Sequence, residues 1–260
     1  MFADDLMANR VAFITGGATG IGFEIARLFG SLGAKVVIAS RKQENLDTAR
    51  DALAEETGAS VVAYKTDVRD YDQVREAVAR TVEQFGGLDI LVNNAAGNFP
   101  CATAKLSPNG WRTVIDIDLN GTFHCCHAAY PALKASKGGG SIISITATQG
   151  FMGWPGAAHA ASAKAGIIAL SRTLAVEWGD DGIRVNNISP GPIGDTLGVR
   201  KLYEDQGLGE LQRRRTALGR FGTKLDIANA AAFLASPLAE YMTGADLIVD
   251  GGRWLKYVAA

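Results

Sequence analysis

Short apolar runs alternate along this chain with longer stretches in which apolar residues recur every three or four positions. RVAFITGG, KVVIAS, ASVVAYKTDV, LDILVNNAAG, GSIISITAT, IRVNNISPGPI and ADLIVDGG are runs of the first kind. They show no strict apolar–polar alternation, which predicts strands covered on both faces. IGFEIARLFGSLG, ending at Gly33, has helical spacing, as do the polar segment Lys42 to Glu56 and DYDQVREAVARTVEQFG. WRTVIDIDLNGTFHCCHAAYPALKAS and AAHAASAKAGIIALSRTLAVEWG predict two long helices. Regular strand–helix alternation makes this an α/β chain, a doubly wound parallel sheet of about seven strands built from right-handed crossovers. The segment Gly191 to Gly222 breaks the rhythm and predicts one or two helices outside the sheet. A long insertion after a strand's carboxyl end is a usual place for a substrate lid, here around 192–222. No solenoid repeat and no second domain are visible, so 1–260 reads as a single domain.

Composition narrows the class. The chain has 260 residues, 47% of them hydrophobic, enough for a sizeable core. With 26 basic and 27 acidic residues the net charge is −1, which gives no reason to expect nucleic acid or an acidic membrane surface as a partner. No apolar run reaches the roughly 18 residues of a membrane span. MFADDLMANR lacks the pattern of a secretory signal and YVAA is not an S-K-L type address, so the expected location is cytoplasmic. Cys101, Cys125 and Cys126 have no metal-like spacing, and a bridge between the adjacent pair would be strained; reduced thiols and no metal are expected.

Candidate chemistry begins at TGGATGIG. Gly16 permits a sharp turn after the first strand, and Gly20 and Gly22 let backbone approach a pyrophosphate at a helix N-terminus. Strand before and helix after make this a dinucleotide site rather than a loop. At the end of the second strand, Ser40 stands where an acid would bind ribose hydroxyls, and Arg41 follows. That combination favours a 2′-phosphate, hence NADP(H). Asp67 is placed to accept a hydrogen bond from the adenine amino group.

TGGATGIG, TDV, NNAAG, SPGPI and VDGG, in this order, give the chain an end-to-end resemblance to the short-chain dehydrogenase/reductases. The resemblance implies a Rossmann-like sheet, a nicotinamide cofactor and a homotetramer built through the two long helices and the last strand. It adds Thr19, Ile21, Val68, Asn94, Lys164, Pro190, Gly191 and Ile193 to the cofactor-binding set. It also exposes departures. The usual catalytic residues are Asn, Ser, Tyr and Lys. By position, DLNGTF puts Asp118 at the Asn, Ala147 takes the Ser and Ala160 the Tyr, and only Lys164 is kept. His159 lies five residues before Lys164, off the face of an i, i+4 partner, and reads as a helix-start or solvent-facing residue.

Carbonyl reduction needs a proton donor on oxygen, help worth on the order of 10²–10⁴ in rate. A conjugated thioester is different: hydride adds far from the carbonyl, charge flows to the thioester oxygen, and that oxygen needs donors rather than a permanent proton. NNAAGNF, DID, HAASAKA and LAVEWG are similar to the peroxisomal-type 2,4-dienoyl-CoA reductases. That likeness implies NADPH-dependent reduction of 2,4-dienoyl-CoA to enoyl-CoA in unsaturated fatty-acid β-oxidation. Asp118 would relay the proton through water and Lys164 would bind the nicotinamide ribose. Asn98 and Phe99 would line the acyl site, with Thr146, Thr148 and Gln149 as donors near the thioester. Beside a close Lys164, an ionised Asp118 would orient water; to be the acid itself it would have to be held protonated. Arg213 to Arg215 and Arg220, in the lid segment, are candidates for CoA phosphates as well as for a solvated helix face. Two other readings stay open: another acyl-CoA or enoyl reductase of the family, and a non-catalytic NADP-binding sensor or scaffold.

Overall fold

The computed structural model describes residues 2–256, with backbone alone at 197, 201 and 202. Seven strands are present: β1 Val11–Thr15, β2 Lys35–Ser40, β3 Val61–Lys65, β4 Ile90–Asn93, β5 Gly140–Ile145, β6 Ile183–Pro190 and β7 Asp246–Val249. All pairings are parallel, in the order β3-β2-β1-β4-β5-β6-β7. β1, β4 and β5 are buried at every position, which is why their sequences run apolar without alternation.

The helices between them are α1 Gly20–Ser31, α2 Gln43–Thr57, α3 Tyr71–Phe85, α4 Pro108–Ile115, α5 Gly121–Lys134, α6 Ala158–Glu177, α7 Leu197–Val199, α8 Gly209–Arg214 and α9 Lys224–Ala235. α1 and α9 cover one face of the sheet through Ile25, Phe29, Ile227 and Ala231. α3 and α5 cover the other through Val74, Val78, Cys126 and Leu133. Phe29, fully buried, anchors the first layer, and its loss to alanine would cost about 3–5 kcal/mol.

The order reverses between β1 and β4, whose helices leave on opposite faces. The crevice above the carboxyl ends of these two strands is where a doubly wound sheet binds its ligand.

One expected element differs. The segment read as a single long helix is α4 and α5 joined by a π-helical turn, Asp116–Asn120. The extra residue per turn rotates the helix face at this point, and apolar periodicity is blind to it because it is one local insertion. α4 starts cleanly: Pro108 follows Ser107, whose hydroxyl accepts the Gly110 N–H at 3.0 Å. The segment 194–222 lies outside the sheet as expected, carrying α7, a π turn at Arg200–Glu204, and α8.

Candidate active site

The loop after β1 is shaped for a diphosphate. Gly16 and Gly20 have φ of +64° and +60°, in the left-handed region. A Cβ at Gly16 would stand 2.8 Å from Asn94 Nδ2, and one at Gly22 would strike the same atom. Thr19 is the N-cap of α1, but its side chain makes no capping hydrogen bond and the first turn has no acid. The helix therefore presents its free N–H groups outward, a ready seat for an anion. Asn94 serves as the clamp of this turn: its Nδ2 donates to the carbonyls of Thr15 and Gly16 at 3.0 and 3.2 Å. These residues fit a dinucleotide.

At the other end of that groove, Ser40 closes β2 and Arg41 is exposed just beyond it. Asp67 is engaged differently from the expectation that it meets adenine. Its Oδ1 and Oδ2 accept from Arg69 Nε and Nη2 at 3.0 and 2.5 Å. This hydrogen bonding, opposed by partial burial and aided by Arg41, holds the Asp67 carboxyl below the usual carboxylate range. Arg69, which sequence reasoning missed, thus puts a second guanidinium near Arg41. Val68 is buried, and a Cβ at Gly121 would come within 2.7 Å of its side chain, so it acts as packing between the β3 loop and α5.

The π turn aims Asp118 inward. Its carboxylate is 1% exposed and both oxygens are engaged: Oδ1 accepts the Gly97 N–H at 2.7 Å and Oδ2 lies 3.1 Å from Lys164 Nζ. Lys164, on α6, also donates to the Ile145 carbonyl at 3.0 Å. An ammonium has three donors, so one remains for a ribose hydroxyl or a water. In this geometry Asp118 orients its neighbours, Lys164 and the Gly97 N–H. Asp116 faces away, accepting from Asn120 Nδ2 at 2.8 Å.

Ala147 lines the cavity and Ala160 is buried at 1% exposure, so methyl groups stand at both vanished hydroxyl positions. His159 is fully buried rather than solvent-facing. Its Nδ1 accepts the Ala160 N–H at 2.7 Å and its ring packs against Phe99, centroids 4.5 Å apart. With Nδ1 an acceptor, the proton of the neutral ring sits on Nε2, which finds no hydrogen-bond partner among the described residues. The helix start carries it under the Asn98–Phe99 loop, a tertiary contact that helical spacing does not reveal.

A cavity of about 620 Å³ opens at the carboxyl ends of the strands. Of the residues singled out in the sequence, Ile21, Asn98, Thr148, Gln149, Pro190, Gly191 and Ile193 line it. Thr146 does not: its hydroxyl donates to the Ile188 carbonyl at 3.0 Å and meets Ser189 Oγ at 2.6 Å, tying β5 to β6. Phe99 sits outside the lining, against His159. The lining also includes residues of the 192–222 segment and Arg253, which had no signal in the sequence. The arginine run divides. Arg213 and Arg214 pair with Glu210 and Arg220 pairs with Asp226, so of the four only Arg215 lines the cavity.

A nicotinamide-dependent oxidoreductase is the class that this sheet, turn and lysine define. Comparison with known proteins makes it specific. A family model described as Enoyl-(Acyl carrier protein) reductase matches residues 16–253. The chain belongs to the short-chain dehydrogenase/reductase family. It is 46% identical over 98% of its length, and 88% of the relative's, to an Arabidopsis thaliana protein named peroxisomal 2,4-dienoyl-CoA reductase [(3E)-enoyl-CoA-producing]. It is 42% identical, over 96% of its length and 98% of the relative's, to a Bacillus subtilis protein named probable 2,4-dienoyl-CoA reductase [(2E)-enoyl-CoA-producing]. A crystal structure of a short chain dehydrogenase from Bacillus anthracis superposes with a TM-score of 0.90 at 41% identity, covering 98% of this chain and all of that one.

Proposed function

We propose that this chain reduces 2,4-dienoyl-CoA thioesters to enoyl-CoA with NADPH, a step of unsaturated fatty-acid β-oxidation. The observation that carries the reading is the intact Asp118–Lys164 pair beside two methyl-lined positions, Ala147 and Ala160. Bound NADPH supplies the hydride. The chain's own residues then have three tasks. Thr148 and Gln149 present donors to a thioester oxygen that becomes anionic, where preorganised hydrogen bonds count most. Lys164 holds a ribose hydroxyl or water with its third donor. Asp118 fixes Lys164 and, through the Gly97 N–H, the loop that carries Asn98 into the cavity. Because Ala160 stands where a tyrosine would deliver a proton to oxygen, the substrate dienolate takes its proton on carbon from water ordered by the pair. Protonation at the α-carbon gives a 3-enoyl product and at the γ-carbon a 2-enoyl product, the two outcomes named for the relatives.

Arg41, with Arg69 nearby, supports NADPH over NADH, since both are suited to a 2′-phosphate and no acid stands at Ser40. The 192–222 segment serves as a lid over the acyl chain. Exposed Phe123 on α5 and Val176 on α6 support assembly as a homotetramer through those helices. Free Cys101, Cys125 and Cys126 suit a reducing compartment such as the cytoplasm; the terminal YVAA lies outside the described residues. Among the described residues no helix is long and apolar enough to cross a membrane. Purified protein should oxidise NADPH with 2,4-decadienoyl-CoA and leave acetoacetyl-CoA untouched. Reduction of acetoacetyl-CoA as fast as of the dienoyl thioester would overturn the reading.

A further inference from the structure

Arg253 is an arginine buried in a cavity wall, and among the described residues it forms no ion pair. It is 7% exposed, and among the described residues no carboxylate oxygen lies within salt-bridge distance of it. The nearby Asp250 is spent on backbone, accepting from the N–H groups of Gly252 and Trp254 at 2.8 Å each. The guanidinium is held in place by neutral groups. Nη2 donates to Gln212 Oε1 at 2.5 Å, and the group lies over the rings of Trp154 and Tyr203, 4.9 and 5.7 Å from their centroids. A guanidinium has five N–H donors, so several remain for a ligand. Burial lowers the Arg253 pKa and the neighbouring Arg215 adds to this, while Tyr203 and the charge of nearby Asp250 offset part of it.

Buried charges are ordinarily paired, because an unpaired one forfeits its hydration. Here two arginines line one cavity together with Trp154, Tyr203, Leu208, Asn98 and Thr148. The missing partner is supplied by whatever occupies the cavity. We propose that Arg253 and Arg215 form an anion subsite that receives a carboxylate or phosphate group of the substrate. This rests on the acyl-CoA reading and deepens it: the group is either a carboxylate at the distal end of the acyl chain or a phosphate of the CoA. Planar, bidentate recognition suits both.

Calorimetric titration of the wild type and the Arg253→Met, Arg253→Lys and Arg215→Gln variants tests this without requiring turnover. The probes are saturated decanoyl and ω-carboxydecanoyl thioesters, each made with CoA and with N-acetylcysteamine, which carries no phosphate. A distal-carboxylate site predicts a loss of about 10- to 100-fold in affinity in Arg253→Met for both ω-carboxylated thioesters, with the plain ones within about threefold. A phosphate site predicts that loss for both CoA thioesters and for neither N-acetylcysteamine one. Arg253→Lys should retain part of the affinity, and Arg215→Gln, exposed and safe for folding, should move in the same sense. Equal losses for all four probes, or none in any variant, would overturn the subsite. NADPH oxidation with 2,4-decadienoyl-CoA, run in parallel, reads the dienoyl reductase assignment separately.

Discussion

Asp118 and Lys164 are a carboxylate and an ammonium sharing a site from which water is nearly excluded. Removing one partner from such a pair leaves the other buried and uncompensated, at a cost of about 3–5 kcal/mol. Urea unfolding should therefore show Asp118→Asn and Lys164→Met each destabilised on that scale, and the double variant destabilised by less than the sum of the two. In steady-state kinetics Asp118→Asn should lose on the order of 10²–10⁴ in kcat while still binding NADPH; retained turnover would remove it from the reaction. Thiol chemistry gives a second check at this scale. Burial pushes the Cys126 thiol up to about 12 and the Cys125 thiol higher still. Iodoacetamide at pH 8 should therefore label the half-buried Cys101 alone in native protein, as mass spectrometry would report. The Asp118–Lys164 pair was legible in the sequence because both positions sit inside spaced motifs. His159 was not, because whether a helix-start residue is buried depends on the loop that lands on it. The Asp67–Arg69 fork was not legible either: Arg69 is only two residues away, but nothing in the spacing announces the contact.

Strands and phosphate turn were readable because apolar runs and glycines report directly on burial and on backbone conformation. The π turn and Arg253's wall were not, since a single-residue insertion leaves no period and a buried arginine looks like any other charge in the chain. The turn carries a sharp expectation. Gly22→Ala would drive a methyl into Asn94 and the Gly16 carbonyl, so nicotinamide cofactor binding should fall steeply while the far-ultraviolet circular dichroism stays native. At the end of β2, Arg41→Gln should raise KM for NADPH by about 10- to 100-fold, the worth of a charge-assisted bond, with little change for NADH. Equal effects on the two would separate Arg41 from the 2′-phosphate. α9 begins with a reciprocal cap between Thr223 and Asp226. Its backbone hydrogen bond to Thr223, ahead of the Arg220 contact, holds the Asp226 carboxyl below the usual range. A depressed folded pKa means that the cap stabilises above the unfolded value near pH 4 and fades as pH falls through the folded one. Asp226→Asn should therefore flatten the acid limb of stability against pH.

At the scale of the whole molecule, a sheet reversing between β1 and β4 opens a crevice that, on the proposed function, would hold a cofactor and an acyl chain side by side. That the sheet is parallel and doubly wound was legible because strands and helices alternate regularly along the chain. How the 192–222 segment folds over the crevice was not, since its six-residue α8 and its π turn carry little periodicity. With methyl groups at positions 147 and 160 in place of two hydroxyls, the proposed chemistry lies at the far end of a conjugated system rather than at the carbonyl. The most direct measurement follows NADPH oxidation with 2,4-decadienoyl-CoA, crotonyl-CoA and acetoacetyl-CoA in deuterium oxide, with the product read by nuclear magnetic resonance. Fast turnover of the dienoyl thioester alone, with solvent deuterium at the α- or γ-carbon, is the predicted result. NADPH bound but never oxidised, or acetoacetyl-CoA reduced at its ketone, would contradict the claim.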